Sequence, residues 1–229
     1  MMLAVFDIEV LTPSGVKSVE IGNAPIIAIG FMDENGKSHT FHIAEVRNRL
    51  PSWLKDKISW KGDTIIQEGE LLLEACDYIR THDVNVLIGF NCLQFDIPYI
   101  MLRARKLTSD YGRYADNTWF YLAREVITTF SSCVIIDLLA EYLKVKSCYQ
   151  TMSLDDVYRE LFGHEPTRSL SRYEAYVTAP AKALIGDYSS LDVHLEEDLK
   201  ITFAVFNEMI KHGLLTPRAL NVLKILNIK

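Results

Sequence analysis

Cysteine is scarce in this chain and forms no pattern. Cys76, Cys92, Cys133 and Cys148 make no CxxC pair and no zinc-ligand spacing. They are expected as buried thiols in a reducing compartment. Long apolar runs are also missing. The two longest, 25–32 and 134–140, have the length of a strand or short helix, well short of the ~18–20 residues of a membrane span. The apolar opening lacks a basic leader, and Asp7 and Glu9 follow at once, unlike a secretory signal. The expectation is a cytoplasmic protein without a membrane partner. Positive charge is in deficit, with 24 Lys and Arg against 30 Asp and Glu, a formal net charge of −6. That excludes a protein that grips nucleic acid by bulk charge, but leaves room for local basic contacts.

What is present suits one α/β domain with a sizeable core. The 229 residues are 49% hydrophobic and 24% charged. No repeat, low-complexity tract or linker interrupts them, so a single domain over 1–229 is expected, with a peripheral helix at 216–229. Apolar strand formers mark strands at 3–10, 25–32 and 38–46, with Asn35-Gly36 as a hairpin turn between the second and third. The period then changes. Helical stripes are expected at 70–81 and 98–106, and a buried strand at 84–90 between them. A strand at 134–136 leads into a helix at 137–143. Ser153 and the acids after it open a helix that Gly163 ends, a long helix covers 191–212 up to Gly213, and Pro217 sits in the first turn of a last one. The stretch 106–129 reads as irregular. A meander followed by helix crossovers predicts a mixed sheet with helices on its faces.

Several carboxylates fall where a core should be. Asp7 and Glu9 interrupt an apolar strand at i and i+2, which puts them on one face. Side by side and desolvated they repel, so something positive must hold them. Arg or Lys partners, or a strand end in water, would also suffice. Asp96 follows a strand where the chain turns into a helix, the corner at which α/β sheets place their sites, although a helix N-cap accounts for it equally. His194 and Asp198 share one face of the long helix, next to the stripe that includes Leu195 and Leu199. The run Glu196–Asp198 reads alternatively as a solvated face. If the four acids converge they need divalent cations. Hard oxygen donors suit Mg²⁺ or Mn²⁺, and two such ions ~3.5–4 Å apart support phosphodiester hydrolysis.

On these residues the chain resembles the DEDD-type 3′–5′ exonucleases of the DnaQ-like, ribonuclease-H-like superfamily. The resemblance is strongest to the exonuclease domains of family B DNA polymerases and their stand-alone relatives. Phe6-Asp7-Ile8-Glu9 is similar to the first exonuclease motif, 89–99 (GFNCLQFDIPY) to the second and 194–202 (HLEEDLKIT) to the third. The third departs by starting with His where the polymerase branch usually has Tyr. The resemblance covers most of 1–207. It implies a ribonuclease-H-like fold with a five-stranded mixed sheet, and two divalent cations held by Asp7, Glu9, Asp96 and Asp198. It also implies that Asn91 and Phe95 shape the groove for the 3′-terminal nucleotides and that the backbone at Val10 and Leu11 approaches the terminal sugar. His194 would be the general base, being more basic near neutrality than a phenol is ionised. Tyr188 and Asp192 offer a second register with the same spacing. Asp137 matches an Asp that family members often carry, yet reads more simply as a helix N-terminal charge.

The expected substrate is nucleic acid, chiefly single-stranded DNA 3′ ends, with RNA an alternative. Arg103, Arg105 and Lys106 follow the second motif. Arg113, Arg124, Tyr111, Tyr114, Trp119 and Tyr121 lie beyond it, a mixture suited to stacking on unpaired bases. Lys144 and Lys146 are further candidates for backbone contact. The chain ends soon after the domain, so a polymerase or repair protein would have to act in trans. An endonuclease or resolvase on the same fold, and a non-catalytic nucleic-acid-binding scaffold, are the rival readings.

Overall fold

Four largely apolar stretches and one mostly polar strand at the edge assemble into one sheet. The computed structural model describes residues 2–11, 22–43, 60–111, 121–147, 151–183 and 186–225. Strands β1 (Met2–Val10), β2 (Ile26–Asp33) and β3 (Ser38–His42) form an antiparallel meander. Strands β4 (Val84–Gly89) and β5 (Val134–Asp137) run parallel to β1, giving the order β3-β2-β1-β4-β5. The β2–β3 turn forms as the Asn-Gly pair predicts. Gly36 adopts φ 79°, and Asp33 accepts hydrogen bonds from the amides of Asn35 and Lys37 at 2.8 and 3.0 Å.

Helices cover both faces, as the mixed-sheet reading expects. They are α1 (Trp60–Thr81), α2 (Asp96–Tyr111), α3 (Leu122–Ser132), α4 (Leu138–Lys146), α5 (Leu154–Phe162), the short α6 (Ala179–Ala183), α7 (Ser189–Lys211) and α8 (Pro217–Ile225). A π-helical turn, Glu174–Thr178, runs into α6. Helix α1 packs over β2, β3 and β4 and against α2 and α3, while α7 lies across β1, β2 and β3. Ser153 caps α5 in a full capping box with Asp156, and Gly163 closes it in the left-handed region.

Two expectations need correction. Helix α1 starts ten residues before the apolar stripe at 70, and 106–129 is not irregular throughout. Helix α2 runs to Tyr111, and Leu122, Val126 and Phe130 recur at helical spacing as the buried face of α3. From α8, Ala219 and Leu223 join the core. Cys76, Cys92 and Cys133 are buried free thiols, as predicted; Cys148 lies outside the described residues.

Candidate active site

Strand parity builds the first part of the site. On β1, Phe6 and Ile8 turn to one face, where the Phe6 ring meets Phe130 of α3 edge-on with centroids 6.5 Å apart. Asp7 and Glu9 therefore turn to the face covered by α7. Asp7 stands opposite Gly30 of β2. A Cβ at Gly30 would come within 2.7 Å of Leu199 and 3.0 Å of Leu195, so the missing side chain is what lets α7 settle onto the sheet beside the two carboxylates.

The second part comes from the end of β4. Pairing between β1 and β4 stops at Val5, which leaves the next amides of β1 without a strand partner on that side. Asp96, the first residue of α2, accepts the Ile8 N–H at 3.3 Å and so extends the ladder with a carboxylate. The turn before it is rigid. Asn91 adopts φ 58°, and its carbonyl accepts the amides of Gln94 and Phe95, both at 3.1 Å. Asp137 holds this turn from below, accepting the amides of Asn91, Leu93 and Ala140 at 3.1, 3.0 and 3.2 Å. Asp137 is the N-cap residue of α4, in keeping with its reading as a charge at a helix N-terminus.

Helix α7 supplies the third part. His194 Nε2 lies 3.7 Å from Glu9 Oε1 and 3.7 Å from Asp198 Oδ2. One donor atom from each of Glu9, His194 and Asp198 falls within 4.8 Å of the others. The imidazole is buried, and its Nδ1 has no hydrogen-bond partner among the described residues. The ring of Tyr176, from the π-helical turn, stands edge-on to it at 5.4 Å and is itself 61% exposed.

A cation that the sequence did not reveal completes the cluster. Arg168 sits in the loop after α5. Its Nη1 donates to Asp198 Oδ1 at 2.5 Å, and its Nη2 and Nε donate to Asp155 Oδ1 at 2.6 and 3.2 Å. The next residue, Ser169, donates its amide to Glu197 at 2.7 Å, which fixes the loop on α7.

The electrostatics follow from this crowding. Burial, then Asp96, Asp198 and Glu9, push the Asp7 carboxyl well above the usual range, and Asp7 and Asp96 share a hydrogen bond. Burial, then Asp198 and Asp96, raise Glu9, with Arg168 opposing. Burial also pushes Asp96 up to about 7, against the hydrogen bonds it accepts. For His194, burial keeps the pKa below the ordinary imidazole value despite the Asp198 charge. Burial works against the charge of Arg168, yet its bonds to Asp155 and Asp198 raise its pKa. One guanidinium against five acids, Asp155 included, leaves acidic groups without a cation, and the donors are mostly hard oxygens. Such a set fits divalent cations.

The remaining predicted residues divide clearly. Val10 and Leu11 are half-buried at the end of β1, where the register shifts after Glu9 and the Leu11 amide donates to Pro25 at 2.9 Å. Phe95 is partly buried against Tyr99, with ring centroids 5.3 Å apart. Tyr188 and Asp192 turn to β3 instead of the acid cluster. Tyr188 stacks on His42 at 4.6 Å, and Asp192 lies 3.6 Å from the same imidazole. Arg103 turns inward: it is buried, grips both oxygens of Glu68 and donates to the Gly22 carbonyl at 3.1 Å. Arg105, Lys106, Tyr121, Arg124, Lys144 and Lys146 are exposed. The side chain of Tyr111, and Arg113, Tyr114 and Trp119, lie outside the described residues.

Arg168 and Tyr176 were the residues missed. Neither sits in a periodic segment, and only the Arg–Tyr content of 168–176 beside the third motif hinted at them.

Comparison with known proteins bears on this geometry. The family described as "DNA polymerase family B, exonuclease domain" matches residues 1–157. DNA polymerase 1 of Pyrococcus abyssi is 27% identical over 213 residues, covering 88% of this chain and 24% of that protein. A DNA polymerase of Red sea bream iridovirus is 30% identical over 146 residues, covering 58% of this chain and 15% of that one. The solved family B DNA polymerase of the hyperthermophilic archaeon Pyrobaculum calidifontis superimposes with a TM-score of 0.58 at 17% identity, covering 91% of this chain and 24% of that one. The fold is the ribonuclease-H-like one expected. The chain spans about a quarter of the length of the Pyrococcus and Pyrobaculum polymerases. With its match extending over more than half its length, the chain belongs to the family of DNA polymerase family B exonuclease domains.

Proposed function

We propose that this chain is a metal-dependent 3′–5′ exonuclease that hydrolyses the terminal phosphodiester of single-stranded DNA and releases nucleoside 5′-monophosphates. The observation that carries this reading is the meeting of Asp7, Glu9, Asp96 and Asp198, from a strand, a strand-to-helix corner and a late helix, beside one imidazole. Family membership supports it.

Asp7, Glu9, Asp96 and Asp198 would hold two divalent cations, Mg²⁺ or Mn²⁺. Bound there, the ions would supply Lewis-acid charge to the scissile phosphate and make water more acidic. The chain's own groups do the rest. His194, kept neutral by burial, accepts a proton at Nε2 from the attacking water, which Glu9 orients. Arg168 fixes one oxygen of Asp198 and leaves the other toward His194. The exposed face of Tyr176 offers a stacking surface for an unpaired base, and the half-buried end of β1 at Val10 and Leu11 meets the terminal sugar. An unpaired end suits a site walled by helix α7 and the 168–176 segment better than a rigid duplex.

The test is digestion of 3′- and 5′-labelled DNA and RNA oligonucleotides with Mg²⁺, Mn²⁺ or EDTA. Stepwise loss of mononucleotides from 3′ ends of DNA, abolished by EDTA and by Asp7→Asn, is expected. His194→Ala should lower the rate ~10²–10⁴-fold. Cutting of circular single strands would replace this reading with an endonuclease, and wild-type activity in Asp7→Asn would leave a binding scaffold.

A further inference from the structure

The segment that carries Tyr176 is one continuous helix, 172–183, with the π-helical turn at its centre. Such turns are rare and concentrate at functional sites. This one is held firmly. Glu174 Oε2 accepts the Ser171 amide at 2.9 Å, and the Ser171 hydroxyl accepts the Glu174 amide at 3.3 Å, a reciprocal cap. Ala175 and Ala179 are buried, and the turn packs on α6 and α7.

The outer side of this anchored helix is apolar where water is expected. Tyr173 is 69% exposed and Val177 41%, beside the exposed Tyr176. Neighbouring apolar side chains left in water mark a surface with an occupant. The face begins at the acid cluster, because the Tyr176 ring abuts the His194 imidazole. Its charge is also unlike that of the chain as a whole. Residues 171–183 carry Arg172 and Lys182 against Glu174 alone. Glu174 is turned back into the cap, and Lys182 donates to Ser190 at 3.3 Å. Arg172 is exposed and pairs with no acid among the described residues. Exposed rings beside an unpaired guanidinium suit a nucleotide chain, since rings stack on bases of any sequence and the cation meets the phosphates.

We propose that Tyr173 and Arg172 form a second nucleotide subsite, on the 5′ side of the one at Tyr176, that holds the unpaired strand as it leaves the acid cluster. The inference rests on the exonuclease reading, which puts the 3′ end at that cluster. Tyr173 stacks on a base and Arg172 meets the backbone beside it. Bases in a duplex hide their faces, so the subsite selects single strands several nucleotides long with little regard to sequence.

The probes are 5′-fluorescein oligothymidylates of two, four and eight nucleotides, titrated against the full chain by fluorescence anisotropy in EDTA over a range of salt concentrations. Affinity is expected to rise with length. Tyr173→Ala should weaken the eight-mer ~5–100-fold and leave the two-mer unchanged, and Tyr173→Phe should bind as the wild type does. Arg172→Ala should weaken the eight-mer and flatten the plot of log affinity against log salt by about 0.7, the signature of one lost phosphate contact. Both side chains are exposed, so these variants fold. Length-dependent binding that neither Tyr173→Ala nor Arg172→Ala alters overturns the subsite and leaves the nuclease reading standing. So does equal weakening of the two-mer and the eight-mer. No binding of the eight-mer by the wild type overturns the subsite as well, and digestion of labelled oligonucleotides then decides whether the nuclease reading falls with it. A concentration-dependent dimer that Tyr173→Ala dissolves overturns it too, by making a second copy of this chain the occupant.

Discussion

Arg168 and His194 divide one carboxylate between them: Nη1 of Arg168 lies 2.5 Å from Oδ1 of Asp198, and Nε2 of His194 lies 3.7 Å from Oδ2. A fixed cation orients the group from one side, and a neutral base sits on the other. The arrangement explains why a run of three acids on α7 does not simply face water.

Removing the cation should expose its role. In Arg168→Ala, Asp198 and Asp155 lose their shared partner in a site where the Arg168 side chain is only 20% exposed. Stability in EDTA is expected to fall by roughly 1–3 kcal/mol, the cost of stranding a partly buried polar group. Mn²⁺ should then raise the melting temperature more in the variant than in the wild type. An equal response to Mn²⁺ in both proteins would disconnect Arg168 from the acid cluster.

Acidity gives a second test. Asp7, Glu9 and Asp96 hold their protons more tightly in the fold than in the unfolded chain, Asp96 up to about 7. The folded state therefore binds more protons between the ordinary carboxylate range, ~4, and about 7, and its stability falls as pH rises through that window. His194 acts oppositely, because its lowered pKa costs stability as pH falls below ~6.5. Thermal melts in EDTA from acid to neutral pH should show Asp7→Asn more stable than wild type at neutral pH, with the gap closing toward acid. A constant gap would contradict the crowding described here.

Gly30 tests the closeness of α7 to the sheet. Gly30→Ala places a methyl 2.7 Å from Leu199. Overpacking of this kind costs ~1–3 kcal/mol. The shift of α7 should also withdraw His194 and Asp198 together, so Mn²⁺ affinity, read by calorimetry on the folded variant, is expected to drop. Unchanged affinity would mean the helix position does not govern the cluster.

The pair Arg103–Glu68 separates structure from substrate contact. Glu68 is fully buried, and it also accepts the Ile26 amide at 2.8 Å. Arg103→Leu strands that carboxylate, and urea unfolding should report a loss of ~3–5 kcal/mol. Adding Glu68→Leu should recover much of it. DNA affinity below the melting point is expected to stay at the wild-type value, whereas loss of affinity at preserved stability would restore Arg103 to the interface.

Much of this was legible in the residues. The apolar strands, the Asn35-Gly36 turn and the capped helices carry local signals, and Asp7, Glu9 and Asp96 announce themselves by sitting in apolar surroundings. Asp198 could be separated from Asp192 only by the pattern after it. Where chemistry depended on contacts remote in sequence, the reading failed. Arg168 meets Asp198 across thirty positions from an irregular loop. Arg103 looks like any surface arginine until Glu68, thirty-five positions away, is seen beneath it. Helix α3 was hidden because Thr128 and Thr129 dilute a spacing of buried residues that only the fold makes plain.

The parity of β1 reaches into how this gene can change. Deleting one codon before Asp7 would swing Phe6 and Ile8 under α7 and drive both carboxylates into the layer that holds Phe130. Deleting two would restore the facing but slide the acids along, away from Gly30 and Asp96. Apolar letters in this segment can be exchanged only for others of similar volume, and its length is not free to drift at all.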